Sequence, residues 1–293
     1  MRKFEFWTIG YRARQGDATL LTDRQTEFRA VPNNWRYWYA DPHLFRYGTD
    51  TYLFAEAYDR VLRRGVISCC QLTEQGPTPW KVVLKQPCHL SYPHILEKDG
   101  EVYMIPETYV ADEIAVFRAK QFPEQWEKIA VLKKGGEPVD STVFHFGGMR
   151  WMLTLECTGD KLMLYPLGDE GISGEGFCVT EHNPNARLAG HLFCAGEKLI
   201  RPAQDCTESY GCALNFCEVK AVGEQQYEET LICKLRPEEF QTDLTYKPEG
   251  IHTYNFNEAF EVVDFKGYEV DPLFYVMRPV WFLWRWIRKV FGK

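Results

Sequence analysis

Short apolar runs rich in β-branched and aromatic residues recur along most of the chain, and turns containing glycine separate them. One pair of runs, at 92–96 and 102–107, flanks Asp99-Gly100. Similar pairs occupy 41–56 and 140–156. Runs of this kind around a tight turn are typical of β-hairpins. The pattern therefore predicts β-structure through the body of the chain.

These hairpins repeat. In the first three copies, eleven residues separate the opening residue from an aromatic residue, and the pairs are Asp41 and Tyr52, Tyr92 and Tyr103, and Asp140 and Trp151. A fourth copy lies at 189–204 and a weaker fifth at 252–264, and further strand-like runs follow each hairpin. Four short strands repeated every 40–50 residues indicate a β-propeller. We predict an all-β, five-bladed propeller over residues 1–270, in which residues 4–9 form an outer strand of the last blade.

The propeller geometry predicts where a functional site lies. The first strand of each blade lines the central channel and the second runs back, so first-strand starts and second-strand ends share one face. Polar residues at these places are Asp41, Asp140, the region 187–190, Glu56, Glu107, Glu156 and Gln204. We therefore expect a polar site at one mouth of the channel.

Carboxylates at this mouth suit chemistry on a glycosidic bond, which needs one carboxylate to activate water or attack and one carboxylic acid to protonate the leaving oxygen. We predict Asp41, Asp140 and Glu107 as the catalytic carboxylates, with Glu107 as the acid. A structural interpretation stays open. Aspartate also forms strand-start turns, and Glu56 and Glu156 occupy places similar to that of Glu107.

Further polar and aromatic residues near the blade starts and around the end of the fourth hairpin are candidates for substrate binding. Their histidines, arginines and amides could contact sugar hydroxyls, carboxylates or phosphates, although solvated loops would have the same composition. The candidates are His89, Tyr92, Arg187, His191, Arg201, Gln204, Asp205, Glu208, Tyr210 and His252.

Charge and cysteine content narrow the class of protein and the partners and cofactors to expect. The formal net charge is −7 without a basic stripe, which argues against a nucleic-acid partner. The ten cysteines show no zinc-like spacing, so neither a metal nor another cofactor is expected. The first residues lack the apolar region of a secretory signal. We therefore expect reduced thiols and a cytoplasmic protein.

The segment 271–293, DPLFYVMRPVWFLWRWIRKVFGK, differs from the rest of the chain. From Pro279 its pattern predicts a short amphipathic helix with tryptophans and basic residues. It is too short and too charged to span a bilayer. Such a helix suits a membrane surface, with contact through 279–291 and a peripheral position on the inner face of the membrane. Docking on the propeller or on a protein partner is the alternative.

The stretches YADPHLF, HLSYPHI, VDSTVFHF, YMIPET, ARLAGHLF, RPAQDCTESYGCAL and GIHTYNF occur in this order. Together they resemble the five-bladed propeller module at the N-terminus of plant glucosamine inositolphosphorylceramide transferases and their bacterial relatives. The resemblance covers roughly 36–265. That module is similar in fold to glycoside hydrolase families 43 and 32. The resemblance implies that Asp41 is base or nucleophile and that Asp140 orients the substrate.

The chain departs from the pattern at one point. The acid of the furanosidase-like enzymes usually comes from the start of blade four, where this chain has Ala189-Gly190-His191. Glu107 or Glu208 could supply the acid. Alternatively, the site binds a glycan or nucleotide sugar without hydrolysing it. Because the plant relatives carry the module beside a glycosyltransferase domain, the resemblance also implies a glycosyltransferase partner and a role in glycan or glycolipid assembly.

Overall fold

The repeat seen in the sequence is a repeat of strand register. The structure, a computed structural model, describes residues 3–280. In three blades the aromatic residue eleven positions after the blade start pairs with the first strand in the same register. The pairs are Phe45 with Tyr52, Leu96 with Tyr103 and Phe144 with Trp151. The predicted five-bladed propeller is confirmed.

The strands form five antiparallel sheets, one for each blade, with the first strand of each blade innermost. Blade one contains β3 (Tyr37–Tyr47), β4 (Asp50–Asp59), β5 (Arg64–Thr73), β6 (Gly76–Pro77) and β7 (Lys81–Leu84); blade two contains β8 (Ser91–Lys98), β9 (Glu101–Glu107), β10 (Glu113–Gln121) and β11 (Gln125–Lys134); blade three contains β12 (Pro138–Phe146), β13 (Met149–Glu156), β14 (Lys161–Leu167) and β15 (Phe177–Glu181); blade four contains β16 (Phe193–Ala195), β17 (Lys198–Asp205), β18 (Ala213–Gly223) and β19 (Gln226–Leu235); blade five contains β20 (Gly250–Phe256), β21 (Phe260–Glu269), β1 (Phe4–Ala13) and β2 (Arg29–Ala30). Single 3₁₀ turns lie at Tyr109–Ala111 and Pro237–Glu239.

The N-terminal strand closes the ring, as predicted. Strand β1 pairs with β21 in continuous register from Phe4 opposite Glu269 to Ala13 opposite Phe260. The short β2 then pairs with β1 as the fourth strand of blade five. The pairing covers an edge of β21 that would otherwise be open to another chain.

The hydrophobic core is divided among the contacts between blades. Five clusters of buried side chains each join two neighbouring blades. The cluster between blades one and two, for example, contains Phe54 and Ile67 from one blade and Ile95 and Met104 from the other. Blades packed on both faces need apolar residues on both sides of a strand, which explains the nearly continuous apolar runs in the sequence.

The predicted C-terminal helix begins earlier than Pro279. Residues 272–280 are helical, and the Asp271 carboxylate accepts the backbone N–H groups of Leu273 (3.0 Å) and Phe274 (3.4 Å), as expected of a helix N-cap. Residues 281–293, which include most of the segment assigned to a membrane surface, lie outside the described residues. Among the residues that the structure does describe, no helix is long and apolar enough to cross a bilayer.

Candidate functional site

The blade starts are held in an uncommon backbone conformation. The pairing of the first and second strands shifts register at the start of the first strand in four blades. Asp41, Tyr92 and Asp140 occupy these shifts with φ values of 52°, 41° and 51°. Positive φ in residues other than glycine is rare and costs about 1–3 kcal/mol, and bulges of this kind redirect side chains. The equivalent residues of three blades are therefore brought together by the same local device.

Asp41 belongs to a buried network that joins blades one, two and five. Its carboxylate accepts the Tyr92 backbone N–H (3.1 Å) and the Thr253 hydroxyl (3.0 Å). His252 lies between two carboxylates, with Nδ1 2.7 Å from Asp264 and Nε2 3.5 Å from Asp41. Asp264 is fully buried and also accepts the backbone N–H groups of Asp41, His252 and Thr253. Asp264 thus fixes both His252 and the backbone of Asp41.

The electrostatics of this network bring the pKa of Asp41 close to neutral pH. Burial raises the pKa of Asp41 to about 6, and the adjacent His252 opposes that rise. Burial alone would lower the pKa of His252, but the Asp264 carboxylate outweighs burial and raises it. At neutral pH Asp41 is therefore mostly ionised, while its proton affinity is far higher than that of an exposed aspartate.

A second cluster, next to the first, is organised by Arg187. Its Nε lies 2.5 Å from Asp140 Oδ2, and its Nη2 lies 3.1 Å from Glu107 Oε2. The Gln204 amide donates to the same Asp140 oxygen (3.1 Å) and to the Leu188 carbonyl (2.9 Å). A single guanidinium from the segment before blade four therefore holds carboxylates from blades two and three.

Glu107 is the carboxyl of this pair that favours its protonated form. Burial raises the pKa of Glu107 well above its usual range, the neighbouring Asp140 charge adds to the effect, and Arg187 opposes it. Groups in one site whose environments act differently on their proton affinities are typical of acid and base partners. This arrangement suits a proton donor at Glu107 and an acceptor at Asp41.

Glu56 is the register equivalent of Glu107 and forms a third buried carboxyl. Glu56 pairs with Ala40, and Glu107 pairs with Ser91, each just before a bulge. Burial raises the pKa of Glu56 well above its usual range, and the charge of Asp41 adds to this. His89 Nδ1 accepts the Gly65 N–H (2.9 Å), so the ring carries its proton on Nε2. This Nε2 atom lies 3.4 Å from Glu56 Oε1. Since burial lowers the pKa of His89 to about 4, the ring is a neutral donor at neutral pH.

Glu156 does not occupy the equivalent place, although the sequence suggested it. In blade three the residue before the bulge, Val139, pairs with Leu155 rather than with Glu156. Glu156 accepts the Tyr165 hydroxyl (2.6 Å) and lies 3.2 Å from Lys133 Nζ. A shift of one residue along a strand reverses the side-chain direction, so Glu156 is separated from the channel carboxylates.

Aromatic rings border the two clusters, and Tyr210 is the exposed one among Trp7, Tyr210 and Tyr92. Trp7 stacks on His252 with ring centroids 3.7 Å apart, and Tyr210 meets both rings edge to face. The Arg187 guanidinium lies 5.2 Å from the Tyr210 ring centre. Tyr92, in contrast, is fully buried. Tyr210 and Arg187 can therefore contact a ligand directly, whereas Tyr92 supports the site from within.

The hydroxyl of Tyr92 is committed to the channel interior. It lies 2.8 Å from Thr142 Oγ1 and accepts the Gly190 N–H at 2.8 Å. Gly190 has a φ of 129°, and a Cβ atom there would lie 2.0 Å from the Tyr254 carbonyl oxygen. Gly190, within the blade-four start Ala189-Gly190-His191, therefore has no room for a side chain.

Three predicted binding residues point elsewhere. Arg201 is buried in a double ion pair with Glu229, with N–O distances of 2.7 and 2.5 Å. Asp205 is buried against Lys234 and the Thr207 hydroxyl. Glu208 pairs on the surface with Arg236 at 2.6 Å. Each has its own partner outside the two clusters, and their assignment to substrate binding stays a prediction. The segment 201–208 is polar because it binds other parts of blade four.

Two groups of described residues have the side chains and spacing to hold a metal ion: Asp41 with His252 and Asp264, and His43 with His94 and His191. The first group is already joined by hydrogen bonds. In the second group, His43 Nδ1–H donates to the Asp41 carbonyl (3.1 Å), so the Nε2 atom of His43 carries the lone pair. His94 Nε2 instead accepts the Val143 N–H (3.1 Å), so its Nδ1 carries a proton. One donor beside an acceptor suits a hydrogen-bonding molecule better than a cation.

Sequence reasoning placed Asp41, Glu107, Asp140, Arg187, Gln204, Tyr210 and His252 in the site, and the structure brings them together. It missed Asp264 and did not select Glu56 over its counterparts. The sequence does offer a signal for Asp264, because it is a charged residue inside the apolar run of β21. His191 packs against His43 and His94, with its ring 5.1 Å from that of His43 and 4.5 Å from that of His94.

The comparisons with known proteins agree with this architecture. Structures similar in fold include the catalytic domain of a GH62 α-L-arabinofuranosidase from Coprinopsis cinerea (TM-score 0.61, 8% identity, 85% of this chain and 83% of that chain). Another is an arabinanase from Bacillus subtilis (TM-score 0.55, 10% identity, 78% of this chain and 95% of that chain). At such low identity the likeness shows the fold alone.

The sequence relatives are longer proteins. Glucosamine inositolphosphorylceramide transferase 1 from Arabidopsis thaliana is 30% identical over 205 residues, which cover 65% of this chain and 26% of the relative. The protein of the same name from Oryza sativa subsp. japonica is 28% identical over 215 residues, covering 65% of this chain and 27% of the relative. The chain thus spans about a quarter of the length of these relatives. Residues 19–163 match the family described as glucosamine inositolphosphorylceramide transferase 1, N-terminal, and the resemblance predicted from the blade-start motifs is confirmed.

Proposed function

We propose that this protein is carbohydrate-active and cleaves or transfers a glycosyl unit at the channel mouth, in the metabolism of a cell-surface glycan or glycolipid. The observation that carries the proposal is the pairing of Asp41, ionised at neutral pH, with Glu107, whose protonated form is favoured, beside the orienting Asp140. All three carboxylates lie within the segment that matches the family. The names of the relatives support a sugar-bearing lipid as the substrate class.

In this proposal Asp41 attacks the anomeric carbon or takes the proton of the acceptor hydroxyl, and Glu107 gives its proton to the leaving oxygen. Arg187 keeps Asp140 and Glu107 at fixed positions, and Tyr210 provides a ring against which a sugar could stack. Because the blade-four start Ala189-Gly190-His191 has no carboxylate, the proposal takes the acid from blade two.

The test uses Asp41→Asn, Glu107→Gln and Asp140→Asn, with aryl glycosides of arabinofuranose, xylose, galactose and glucosamine as probes. Loss of a general acid or base typically costs about 10²–10⁴-fold in rate. We expect losses of this size for Asp41→Asn and Glu107→Gln, and no change for the surface control Glu208→Gln. Unchanged turnover in both site variants, on a glycoside that the parent protein processes, contradicts the mechanism.

A second candidate function is supported by the same arginine. Arg187 is already bound to Asp140 and Glu107, and blade four starts without a carboxylate, which favours a site that binds a glycan or nucleotide sugar for a separate glycosyltransferase partner. Calorimetric titration with sugars and nucleotide sugars distinguishes the two functions. Binding that Arg187→Ala abolishes, without turnover of the bound sugar, supports the binding module.

A further inference from the structure

Exposed apolar side chains are concentrated on one face of the propeller. We call the site face the one where the first strands of the blades start and the second strands end, which is also the face of the channel-mouth clusters. Loops and strand ends on this face carry Trp35, Leu62, Tyr109, Val110, Tyr210 and Tyr268, and Trp35 is 74% exposed. Among the described residues, the opposite face carries Tyr47 and Met149. The excess lies around the candidate site.

The C-terminal helix extends the same surface. It starts directly after β21 ends on the site face, and its residues Tyr275, Val276 and Val280 are exposed, Val276 by 71%. A groove of about 830 Å³ lies between Trp35 and the helix residue Leu273. The groove is also lined by Arg60, Asp243, Glu269 and Asp271, so Trp35 and the exposed helix residues form an apolar border on the two sides of a partly charged groove beside blade five.

The charge of the chain after β21 is opposite to that of the whole. Residues 272–293 contain five basic residues and no acidic residue, although the full chain carries −7. The same segment contains Trp281, Trp284 and Trp286. Tryptophans with basic residues are the composition that binds the interface of an anionic bilayer. A protein partner would match the apolar border equally well, but it would not explain this local reversal of charge.

We propose that the site face docks on an anionic phospholipid bilayer, so that the sugar of a membrane-anchored glycolipid reaches Arg187 and the carboxylates at the channel mouth. The choice of a glycolipid rests on the proposed function, whereas the docking itself does not. Trp35 and Leu62 contact the lipid from blade one, and the helix contacts it from blade five. The cations of 272–293 bind the lipid phosphates. In this orientation the channel mouth opens toward the membrane.

The test is co-sedimentation of the full chain with phosphatidylcholine vesicles prepared with and without phosphatidylserine. Trp35→Ser/Leu62→Ser removes apolar contacts of the site face, and Tyr47→Ser/Met149→Ser is the matched control on the opposite face. Arg285→Gln/Arg288→Gln/Lys289→Gln removes charge. Circular dichroism checks the fold of each variant.

We expect the site-face pair to weaken partitioning onto phosphatidylserine vesicles by at least about tenfold, because apolar burial sets interfacial affinity. The control pair binds like the parent, and the charge variant loses the preference for phosphatidylserine. Parent-like partitioning of the site-face pair overturns the proposal, even if the charge variant is weakened, because the face itself would then not dock. Absence of vesicle binding by the parent overturns it in favour of a protein partner.

Failure of the docking proposal is separable from failure of the proposed function. The site-face pair should keep the turnover of a soluble aryl glycoside, since Trp35 and Leu62 contact none of the site carboxylates. Asp41→Asn should lose turnover and keep vesicle binding.

Discussion

The carboxylate of Asp264 accepts the backbone N–H of Asp41 across the junction between the last blade and the first, at 2.9 Å. The bond holds Asp41 in its left-handed bulge, and the same carboxylate orients His252. The residue proposed as base is therefore positioned from another blade.

Replacing Asp264 should destabilise the protein more than replacing an exposed aspartate. Asp264→Ala leaves three buried backbone N–H groups and His252 without their acceptor, and breaking a buried ion pair from one side costs about 3–5 kcal/mol. Chemical denaturation measures the free energy of unfolding. Asp169→Ala, which removes a largely exposed carboxylate, is the control and should change it little. Equal effects of the two substitutions would contradict the structural role of Asp264.

Arg201 should matter for stability and not for ligand binding. Arg201→Met leaves the partly buried Glu229 carboxylate with the Tyr227 hydroxyl as its remaining partner, and we expect a loss of up to about 3–5 kcal/mol. Arg201→Met/Glu229→Met removes both charges and should recover most of that loss. Thermal unfolding compares the variants. A defect in sugar binding in the stable double variant would restore Arg201 to the site.

The buried acids predict a dependence of stability on pH. The raised pKa of Glu56 means that the folded state binds its proton more tightly than the unfolded state does. Its contribution is therefore complete below the unfolded pKa, about 4.3, and is lost as pH rises through the folded value. The contribution of Asp41 has the same sign and is lost as pH rises from its unfolded pKa to its folded pKa of about 6. This shift in pKa corresponds to about 3 kcal/mol of stability. His252 also has this sign, over a higher range.

We therefore expect these acids to lower the free energy of unfolding between pH 5 and pH 8. The buried and half-buried histidines His43, His89, His94 and His191 have the opposite sign, because burial lowers their pKa values, so the prediction concerns the difference between variants. Glu56→Gln cannot ionise, so between pH 5 and pH 8 it should lose less stability than the parent, whereas substitution of the exposed Glu258 by glutamine should leave the pH dependence unchanged. Urea titrations across this pH range measure these slopes. A slope for Glu56→Gln equal to that of the parent would show that Glu56 is not buried in its neutral form.

The close approach at Gly190 gives a further prediction. Gly190→Ala meets the Tyr254 carbonyl and should cost at least about 2 kcal/mol, from backbone strain and overpacking together. Gly196→Ala is the matched control, because Gly196 also has a positive φ (63°) but has open space around it. Urea denaturation of both variants should show the larger loss at Gly190. Equal losses would mean that the blade-four position can accept a side chain.

The repeat spacing was enough to predict the propeller and the convergence of Asp41, Asp140 and Glu107, because both follow from strand order alone. Register within a hairpin was harder to predict. The bulges of blades one, two and three lie at the same place, but Glu156 lies 16 residues after Asp140, whereas Glu56 and Glu107 lie 15 residues after Asp41 and Tyr92. This one extra residue places Glu156 on the other side of its strand, and counting it in the sequence would have separated Glu156 from the other two. For Arg201 and Asp205 the sequence offers no such count. A polar side chain in a strand can lie on either face, and only the structure shows their partners, Glu229 and Lys234.

The closure of the ring by β1 has a consequence for folding. Strands β1 and β21 are about 250 residues apart in sequence, and closing so long a loop costs entropy before any contact is gained. Trp7 on β1 stacks on His252, and Asp264 on β21 orients both His252 and Asp41. During synthesis β1 emerges about 250 residues before β21. The site can therefore mature only after blade five has been translated, and the pairing of β1 with β21 is the step that completes it.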